Sequence, residues 1–596
     1  MNQAAYDREV AYRANLVLAA AAARPMDMWS AHAHLRQGRG DRELLHQAIE
    51  RSLAAPHLGR SGGAGPFHVL PAALLLCRWE WELRPASVDL IRRAFCEGVT
   101  VRGNTENHWL MYYAGNLLAA ERWADQPVLF NGQPPAVIRA EATRWILGTI
   151  ERTARLGHHE YDSPQYHMEH LAAYIGLYEH ARDPHLRDQV GKVLTVLIAD
   201  MALEYCRGSW AGGHSREGYR QNTWTRVGPV QTLQYLYFGG EDFNPEHHLH
   251  HYAIPAVVAA YRPPPVLAAI ALDRSQPHVV RKTRAPRTII RHTDRDARPV
   301  RKYTYMSRSF ALGSTQLGLP GPPAGPIDLV SWDLTWHGPK HHAKISCNHP
   351  YVHPGRFSAF LGPLPQSARR AVGDDKPYLQ RLDRLFGASP YERMMQHEGT
   401  IVVLYHIPPD DEAPFVNLFL PRSVDWVTRR GWLLADLGSF FVAVRPIGPF
   451  TWERIRESAS DGVMVTEGDQ IDGWLLRLAD PSAGLVLEAV EADGAGSFRA
   501  YCERRSASDV DLAGWPAGGR VAVTTHAGVR LEMSYDGPHR VDGHDIDYDA
   551  WPLVGAPGAT AVAHSGRATY RHGGDEVQVD FGLDPDRPMI PMRVIG

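Results

Sequence analysis

The sequence predicts a chain in two parts, an all-helical region followed by a region of antiparallel β-strands. Up to about residue 262, apolar residues recur at spacings of three and four, which is typical of helices. After the proline-stiffened segment from Tyr261 to Pro265, apolar and polar residues alternate in short runs. The length of 596 residues also exceeds what one hydrophobic core holds, so two or three domains are expected.

Ten candidate helices make up the first part, separated by Gly, Pro or Asp breaks. They cover residues 7–24, 41–55, 68–83, 86–98, 105–123, 135–156, 165–182, 185–206, 228–238 and 252–261. Several are apolar on more than one face, so they should pack on both sides. Short connections between so many helices favour repeated helical hairpins, arranged as a bundle, a solenoid or a closed ring.

Twelve candidate strands follow, with Gly, Pro, Asp and Asn between them. They cover residues 278–284, 287–293, 301–312, 399–407, 415–420, 439–447, 474–480, 485–492, 497–505, 520–526, 529–535 and 576–582. This number of strands indicates a large antiparallel β-sandwich with a small C-terminal sheet. We therefore expect domains at residues 1–265, 266–515 and 516–596.

Composition excludes several classes of protein. The formal net charge of −3 is near balance and gives no sign of nucleic-acid binding. Five cysteines without CxxC spacing argue against a zinc ribbon or a disulfide framework, and free thiols in the reducing cytosol explain them most simply. Runs of about 18 apolar residues are missing, so no membrane span is expected.

The apolar run from Leu16 to Ala23 is the one stretch similar to a secretion signal. Acidic and basic residues both precede it, and it continues naturally as a helix, so we expect a structural helix rather than a cleaved leader. This favours the cytoplasm over secretion. The sequence leaves the formation of a homo-oligomer open.

The first candidate site lies in the stretch from Asn104 to Asp125, at the start of the helix predicted at residues 105–123. Glu106, Asn107 and His108 lie in its first turn, and Asn104 or Thr105 can cap it. The N-terminal end of a helix holds free backbone donors and attracts anions. These three side chains therefore suit an acidic ligand. The simpler alternative is a capped core helix whose polar first turn faces water.

The second candidate site is the stretch DSPQYHMEH, from Asp162 to His170. Ser163-Pro164 should start a helix, because proline suits the first helical position. Tyr166 and His170 are then four positions apart and share a face, while His167 lies on another. Lysine and arginine are missing, which argues against a phosphate site. A packed tyrosine with a bonded hydroxyl is the alternative.

The third candidate site is a glycine-rich loop from Trp210 to Arg220. His214, Arg216, Tyr219 and Arg220 crowd into seven of its positions. Loops of this composition are often binding elements, and a guanidinium can hold a carboxylate by two parallel hydrogen bonds. A solvated loop with salt bridges is the alternative.

A histidine-rich segment from Trp332 to His353 is the fourth candidate site. A metal could be bound there by Asp333 with His337, His341, His342, His349 and His353. The spacing matches neither HExxH nor CxxC, so no particular metal is indicated. Five histidines within seventeen positions favour a functional role, but the role of each stays open.

These stretches resemble the heparinase II/III-like polysaccharide lyases and their alginate-lyase relatives. The matches are Asn107-His108, the segment from Ser163 to His167, the histidine-rich segment, and Phe310 to Ser314 in a strand. The resemblance covers nearly the whole chain. It implies an N-terminal (α/α) toroid before the antiparallel β-sandwich, and cleavage of a uronic-acid-containing poly- or oligosaccharide by β-elimination.

The resemblance also implies roles for single residues. Asn107 and His108 would neutralise the uronate carboxylate or take part in proton transfer, with Tyr166 as the catalytic tyrosine. A histidine among His337, His341 and His342 would complete the site. The family's His-Gly-His-Ala-Asp pattern is not reproduced, because Lys344 stands where an acid is expected; a structural divalent metal near His342 is therefore in doubt.

We expect the catalytic group to contain Asn107, His108, Tyr166, His337 and His342. We expect the substrate to contact Glu106, His167, His214, Arg216, Tyr219, Arg220, Trp336 and His341. β-Elimination removes the C5 proton beside a uronate carboxylate and expels the group on O4. One donor aimed at the developing enolate is worth about 2.7–4 kcal/mol, and tyrosine or histidine can act as base and acid.

Two other functions compete with the lyase. A glycoside hydrolase on the same architecture needs two carboxyl groups about 5–9.5 Å apart. Four residues offer such groups: Glu106, Asp162, Glu169 and Glu217. A non-catalytic carbohydrate-binding protein is the other alternative, and it would never shorten a polymer that it binds.

Overall fold

The computed structural model confirms the order of the two parts, with helices first and antiparallel sheets after them. It describes residues 2–54, 63–103, 105–216, 228–285, 299–317, 329–338, 343–351, 382, 387, 389–458, 470–508 and 510–591. The helical region ends at Leu272 and the first strand begins at His278. The domain division at residues 265 and 515 stays a prediction.

Thirteen helices form the described part of the helical region. They are α1 (Gln3–Ala21), α2 (Ala31–Arg36), α3 (Arg42–Leu53), α4 (Pro66–Trp79), α5 (Pro85–Cys96), α6 (Glu106–Arg122), α7 (Pro135–Leu156), α8 (His167–His180), α9 (Pro184–Leu203), α10 (Gln231–Phe238), α11 (Pro245–His248), α12 (Ile254–Val257) and α13 (Pro265–Leu272). Proline opens several of them, since its missing N–H needs no partner there.

Helix α6 lies in the middle of the helical region. It packs against α4, α7 and α8 and is buried along almost its whole length. Thr105 caps it, since the Thr105 hydroxyl accepts from the His108 backbone N–H at 3.4 Å. The polar first turn is therefore enclosed by protein rather than facing water.

The largest sheet has twelve strands among the described residues, all paired antiparallel. In spatial order they are β12 (Phe450–Ser458), β13 (Gln470–Leu478), β8 (Val416–Pro421), β5 (Lys344–Asn348), β4 (Trp332–Trp336), β3 (Phe310–Leu317), β2 (Val300–Met306), β1 (His278–Arg284), β20 (Val554–Ala556), β21 (Ala559–Ala561), β22 (Arg567–His572) and β23 (Asp575–Asp580). The chain thus returns to its first strand at its end.

Two smaller sheets stack beside the first. The six-stranded sheet contains β6 (Glu392–His397), β7 (Thr400–Tyr405), β14 (Gly484–Glu491), β11 (Phe440–Ile447), β10 (Trp432–Asp436) and β9 (Trp426–Arg429). The five-stranded sheet contains β15 (Val510–Asp511), β16 (Arg520–Thr524), β17 (Arg530–Ser534), β18 (His539–Val541) and β19 (His544–Asp545).

Alternation along β14 shows how these layers pack. Leu485 and Leu487 enter the core shared with the twelve-stranded sheet, which also holds Trp332. Val486 points the other way, into a core shared with the five-stranded sheet and with Tyr501. A strand buried on both faces therefore lies at the centre of the β region.

One predicted strand is wrong. Residues 497–505 belong to a helix, Phe498–Ala507, which follows a short helix at Ala492–Ala495. Ser497 caps it by accepting from the Ala500 N–H at 3.2 Å. Tyr501 and Cys502 lie three and four positions after Phe498, a helical spacing that the short run concealed.

Other boundaries also differ from the sequence analysis. The predicted strand 301–312 is two strands, β2 and β3, joined by a turn at Ser307. Helix α8 begins at His167 rather than at Ser163-Pro164, because the Ser163 hydroxyl accepts from the Tyr166 N–H at 3.0 Å in a turn. The predicted strand 287–293 lies outside the described residues.

The end of the chain completes the core of the helical region. Tyr570, Val579 and Phe581 are buried in that core together with the helices. Beyond β23, the Arg155 guanidinium donates to the Asp584 carbonyl at 2.6 Å, and that of Arg152 donates to the Ile590 carbonyl at 2.7 Å. The two parts of the chain therefore share one packed interface.

Two expectations from composition can be checked directly. All five cysteines are free thiols, as the sequence analysis favoured. Among the described residues, no helix combines the length and the apolar character that crossing a bilayer requires.

Candidate active site

A buried polar group lies where the first turn of α6 meets the loop before α8. We call it the His–Glu cluster. It contains Glu106, Asn107, His158, Glu160, Tyr166, Glu169, His170 and Arg216, all of them buried. Three of the sequence-predicted stretches therefore meet here: the start of α6, the DSPQYHMEH segment and the glycine-rich loop.

Gly157 directs the chain into this site. Helix α7 ends at Leu156, and Gly157 follows with a φ of 85°, which favours glycine. A Cβ atom at Gly157 would lie 2.5 Å from the Arg284 Cδ atom of strand β1. Glycine therefore lets the strand approach closely, while the next residues turn inward and place His158 and Glu160 in the cluster.

Asn107 is held at both ends of its amide. The Thr105 hydroxyl donates to its oxygen, and its nitrogen donates to the Glu169 carboxyl group. Burial, with the nearby Glu160, raises the pKa of Glu169 to about 8, although the Asn107 hydrogen bond and Arg216 act against this. Glu169 is therefore mostly protonated at neutral pH. The amide has a second N–H, which takes part in none of the hydrogen bonds seen between described residues.

Tyr166 lies beneath a cation. The Arg216 guanidinium carbon is 3.6 Å from the centre of the Tyr166 ring, and the guanidinium donates to Glu160 at 3.1 Å. His170 Nδ1 donates to the Tyr166 carbonyl at 3.0 Å, and its Nε2 is 3.8 Å from the other Glu160 oxygen. A positive charge over the ring stabilises negative charge on the phenol oxygen.

A carboxylate and two imidazoles form a compact group inside the cluster. Glu106, His158 and His170 each present one donor atom, and these atoms lie within 4.8 Å of one another. The His158 ring meets the His170 ring edge-on at 4.4 Å between centroids. This donor set is chemically able to hold a divalent cation.

Three predicted histidines lie beside the cluster. His108 is half-buried, with its ring edge-on to Phe67 at 5.3 Å. His167 donates to the Leu197 carbonyl at 3.1 Å, and burial lowers its pKa to about 4. His214 donates to the Asp162 carbonyl at 2.5 Å, and burial holds its pKa well below the usual value. His167 and His214 are therefore neutral at pH 7.

Two predicted residues of the histidine-rich segment lie elsewhere. His337 is 51% exposed, and its Nδ1 is 3.4 Å from Glu241. Trp336 is 7% exposed in the sandwich core, against Phe440. The structure does not bring either residue to the cluster through a described contact. Six other predicted site residues lie outside the described part of the chain: Glu217, Tyr219, Arg220, His341, His342 and His353.

Lys344, which stands where the family resemblance expects an acid, pairs with Asp333. The Lys344 ammonium is 2.9 Å from one Asp333 oxygen, and the Gly212 N–H donates to the other at 2.8 Å. Burial raises the pKa of Asp333, with Lys344 acting against it. An ammonium thus occupies the carboxylate that was a candidate metal ligand, while His342 lies outside the described residues.

A second buried group joins the helices to the sheet, and we call it the ion network. It contains Asp162, Asp200, Glu204, Lys282, Arg284 and Lys302. Lys282 contacts Glu204 at 2.8 Å, Arg284 contacts Asp200 at 2.6 Å, and Lys302 contacts Asp162. Although burial alone would raise it, the pKa of Asp162 is held well below its usual value by Lys282 and Lys302.

The sequence analysis missed His158, Glu160 and the ion network. A local signal existed for the first two, since His158, His159 and Glu160 directly follow the glycine that ends α7. No local signal existed for the ion network, because Lys302 and Asp162 are 140 positions apart.

Comparisons with known proteins gave matches among solved structures only. Neither the protein-family models nor the curated proteins contain a match. A crystal structure of heparinase III matches with 10% identity and a TM-score of 0.43, over 85% of this chain and 81% of that chain. Heparan sulfate lyase HepC from Pedobacter heparinus matches with 9% identity and a TM-score of 0.37, over 87% of this chain and 82% of that chain.

A further heparinase III structure matches with 9% identity and a TM-score of 0.35, over 85% of this chain and 83% of its own. This chain is thus similar over most of its length to solved structures of heparinase III and of a heparan sulfate lyase.

Proposed function

We propose that this chain is a polysaccharide lyase that cleaves an acidic poly- or oligosaccharide by β-elimination at a uronate. The observation that carries the proposal is the meeting of Asn107, Tyr166 and Arg216 in one buried cluster. An amide, a phenol and a cation are the groups that this reaction needs around the C5 proton and the carboxylate.

Asn107 supplies the electrostatic part. Its amide is fixed by Thr105 and Glu169, so its remaining N–H is already oriented before substrate arrives. A donor that needs no reorientation stabilises the enolate more than a mobile one. Glu169, protonated near neutral pH, places little negative charge beside the substrate carboxylate.

Tyr166 supplies the proton transfer. As a phenolate under the Arg216 guanidinium, it takes the C5 proton; the C4–O4 bond then breaks, and a C4–C5 double bond forms. The departing O4 receives a proton from an acid, and no water is consumed. The resemblance expects a histidine among His337, His341 and His342 to complete the acid–base pair with Tyr166, but no described contact brings His337 to the cluster. His170 is the histidine bonded to the Tyr166 backbone.

Burial sets a condition on this proposal. Asn107 is 0% exposed and Tyr166 is 5% exposed, so a sugar ring reaches them only when the surrounding side chains separate. Binding must therefore supply the free energy for that opening, and affinity for a short oligosaccharide should be weak.

The test is absorbance of the unsaturated product. Purified protein is incubated with a panel of uronate polymers, heparan sulfate among them, and with the same polymers after reduction of their carboxyl groups. We expect ultraviolet absorbance and shorter chains with one native polymer and neither with its reduced form. Shorter chains without the absorbance, or no cleavage across the panel, would refute the lyase.

One observation favours a second function, the glycoside hydrolase. A hydrolase needs a carboxyl group that stays protonated, and Glu169 does so with its pKa of about 8. Glu160 is close enough for its charge to raise that pKa, and Glu106 belongs to the same cluster. Hydrolysis gives new reducing ends without ultraviolet absorbance, so the same assay separates the two reactions.

A further inference from the structure

We propose that Glu106, His158 and His170 form a binding site for a divalent transition metal, with zinc as the first candidate. The inference goes beyond the lyase and does not depend on it. The three donor atoms lie within 4.8 Å of one another, and all three side chains are buried. Two imidazoles with one carboxylate is a ligand set that zinc uses in proteins.

The hydrogen bonding of His170 supports this assignment. Its Nδ1 lies 3.0 Å from the Tyr166 carbonyl, which can only accept, so Nδ1 carries the proton. In the neutral ring the lone pair is then on Nε2. Histidines that bind metals usually donate their other N–H to a carbonyl or carboxylate in this way, which fixes the ring.

The geometry needs a small contraction. Zinc–ligand bonds of about 2.0 Å in a tetrahedron place the ligand atoms about 3.3 Å apart. The atoms of Glu106, His158 and His170 would therefore close by about 1.5 Å at most, which side-chain rotation achieves. Glu160 lies beside a fourth position, with one oxygen 3.8 Å from His170 Nε2.

The ligands come from three separate segments. Glu106 begins α6, His158 follows α7, and His170 lies in the first turn of α8. A metal here would tie these segments together, so its binding should stabilise the folded helical region. Oxygen-preferring cations such as Mg²⁺ suit two imidazoles poorly, so zinc, cobalt and nickel should bind far more tightly than magnesium.

The test uses the full chain without a histidine tag, stripped with a chelator and dialysed against zinc. We expect one zinc per chain by elemental analysis, a rise in melting temperature with zinc but not with magnesium, and visible absorbance of tetrahedral cobalt after Co²⁺ addition. Wild-type protein that holds no zinc above the buffer, or takes up cobalt without this absorbance, would overturn the proposal.

Variants locate the site. His158→Gln and Glu106→Gln should lose the stoichiometric zinc and the shift in melting temperature. His32→Gln should keep both, since His32 is equally buried in the helical region but bonds to Trp79. Circular dichroism identifies variants that do not fold. If the variants do not fold, the cobalt spectrum of the wild-type protein still tests the proposal. Full zinc binding by folded His158→Gln would refute the site.

Discussion

The ion network and the His–Glu cluster are neighbours that share one loop, yet they differ in how their charges are arranged. Asp162 belongs to the first and Glu160, two residues earlier, to the second. The ion network sets three cations against three anions, most of them in direct contact. The cluster contains wider gaps, such as 3.8 Å between Glu160 and His170.

Their carboxyl groups differ accordingly. Lys282 and Lys302 keep Asp162 ionised, whereas burial keeps Glu169 protonated to about pH 8. Fully paired buried charges have their interactions satisfied already and serve the fold. A buried carboxyl group that stays protonated near neutral pH, as Glu169 does, is typical of sites that do chemistry, whereas the shifted pKa of Asp162 reflects its pairing with two lysines. We therefore propose that the ion network stabilises the fold and that the His–Glu cluster carries the function.

Tyr166→Phe is the strongest test of the functional role proposed for the His–Glu cluster. We expect turnover on the cleaved polymer to fall by about 10²- to 10⁴-fold, because the proton-transferring hydroxyl is lost while the ring stays under Arg216. The melting temperature should change little. Tyr161→Phe, in the same loop and equally buried, is the control and should keep its turnover. If Tyr166→Phe turned over the polymer at the wild-type rate, the catalytic role of Tyr166 would be refuted.

Lys302→Met tests the network. Removing this cation leaves Asp162 and Glu204 partly unpaired in a buried place, so we expect a loss of about 3–5 kcal/mol in the free energy of unfolding. Urea unfolding followed by tryptophan fluorescence measures it. Lys192→Met, which breaks an exposed pair with Asp188, should cost only about 0.3–0.5 kcal/mol. Equal losses of unfolding free energy in Lys302→Met and Lys192→Met would contradict the stabilising role of the ion network.

Asn107→Ala probes the other half of the cluster. We expect turnover to fall by about 10²- to 10³-fold, because a preoriented donor is removed. Asn116→Ala is the control, because Asn116 is a buried amide in the same helix. The Asn116 amide donates to the Tyr112 carbonyl at 2.9 Å, and the folded variant should keep its turnover. Steady-state rates at a temperature where both variants are folded decide the matter. Similar losses in both would show a packing effect.

The smallest expected effect is a pH dependence through Glu169. Folded Glu169 holds its proton to about pH 8, whereas the unfolded side chain loses it near 4.5. The unfolded state therefore binds fewer protons in this window, and stability falls as pH rises. Between about pH 6.5 and 8, the one proton held by folded Glu169 should lower the free energy of unfolding by about 2 kcal/mol as pH rises.

Unfolding free energies of wild type and Glu169→Gln over this range measure that difference. Glutamine cannot titrate, so the variant should show the flatter curve. Parallel curves would mean that Glu169 has an ordinary pKa, which would also remove the support for the hydrolase.

The sequence predicted what local patterns determine. Helical periodicity and a cap at Asn104 or Thr105 predicted helix α6 and its first turn, and the structure has Thr105 as the cap. Asn107 and Tyr166 were predicted from their own stretches. Helix Phe498–Ala507 was missed because ten residues of mixed polarity fit two periods. Contacts between distant segments could not be predicted, since nothing near Asp162 reveals that Lys302 neutralises it.

The return of the last strands to the helical region has a consequence for synthesis. The helices emerge from the ribosome first, but Tyr570, Val579 and Phe581 complete their core only after several hundred further residues. Until then, apolar surface on α9 and α13 stays uncovered, and transient exposure of this kind promotes aggregation. A chain cut short before β20 would carry that exposed surface permanently, so it should aggregate more readily than the chain that contains β20 to β23.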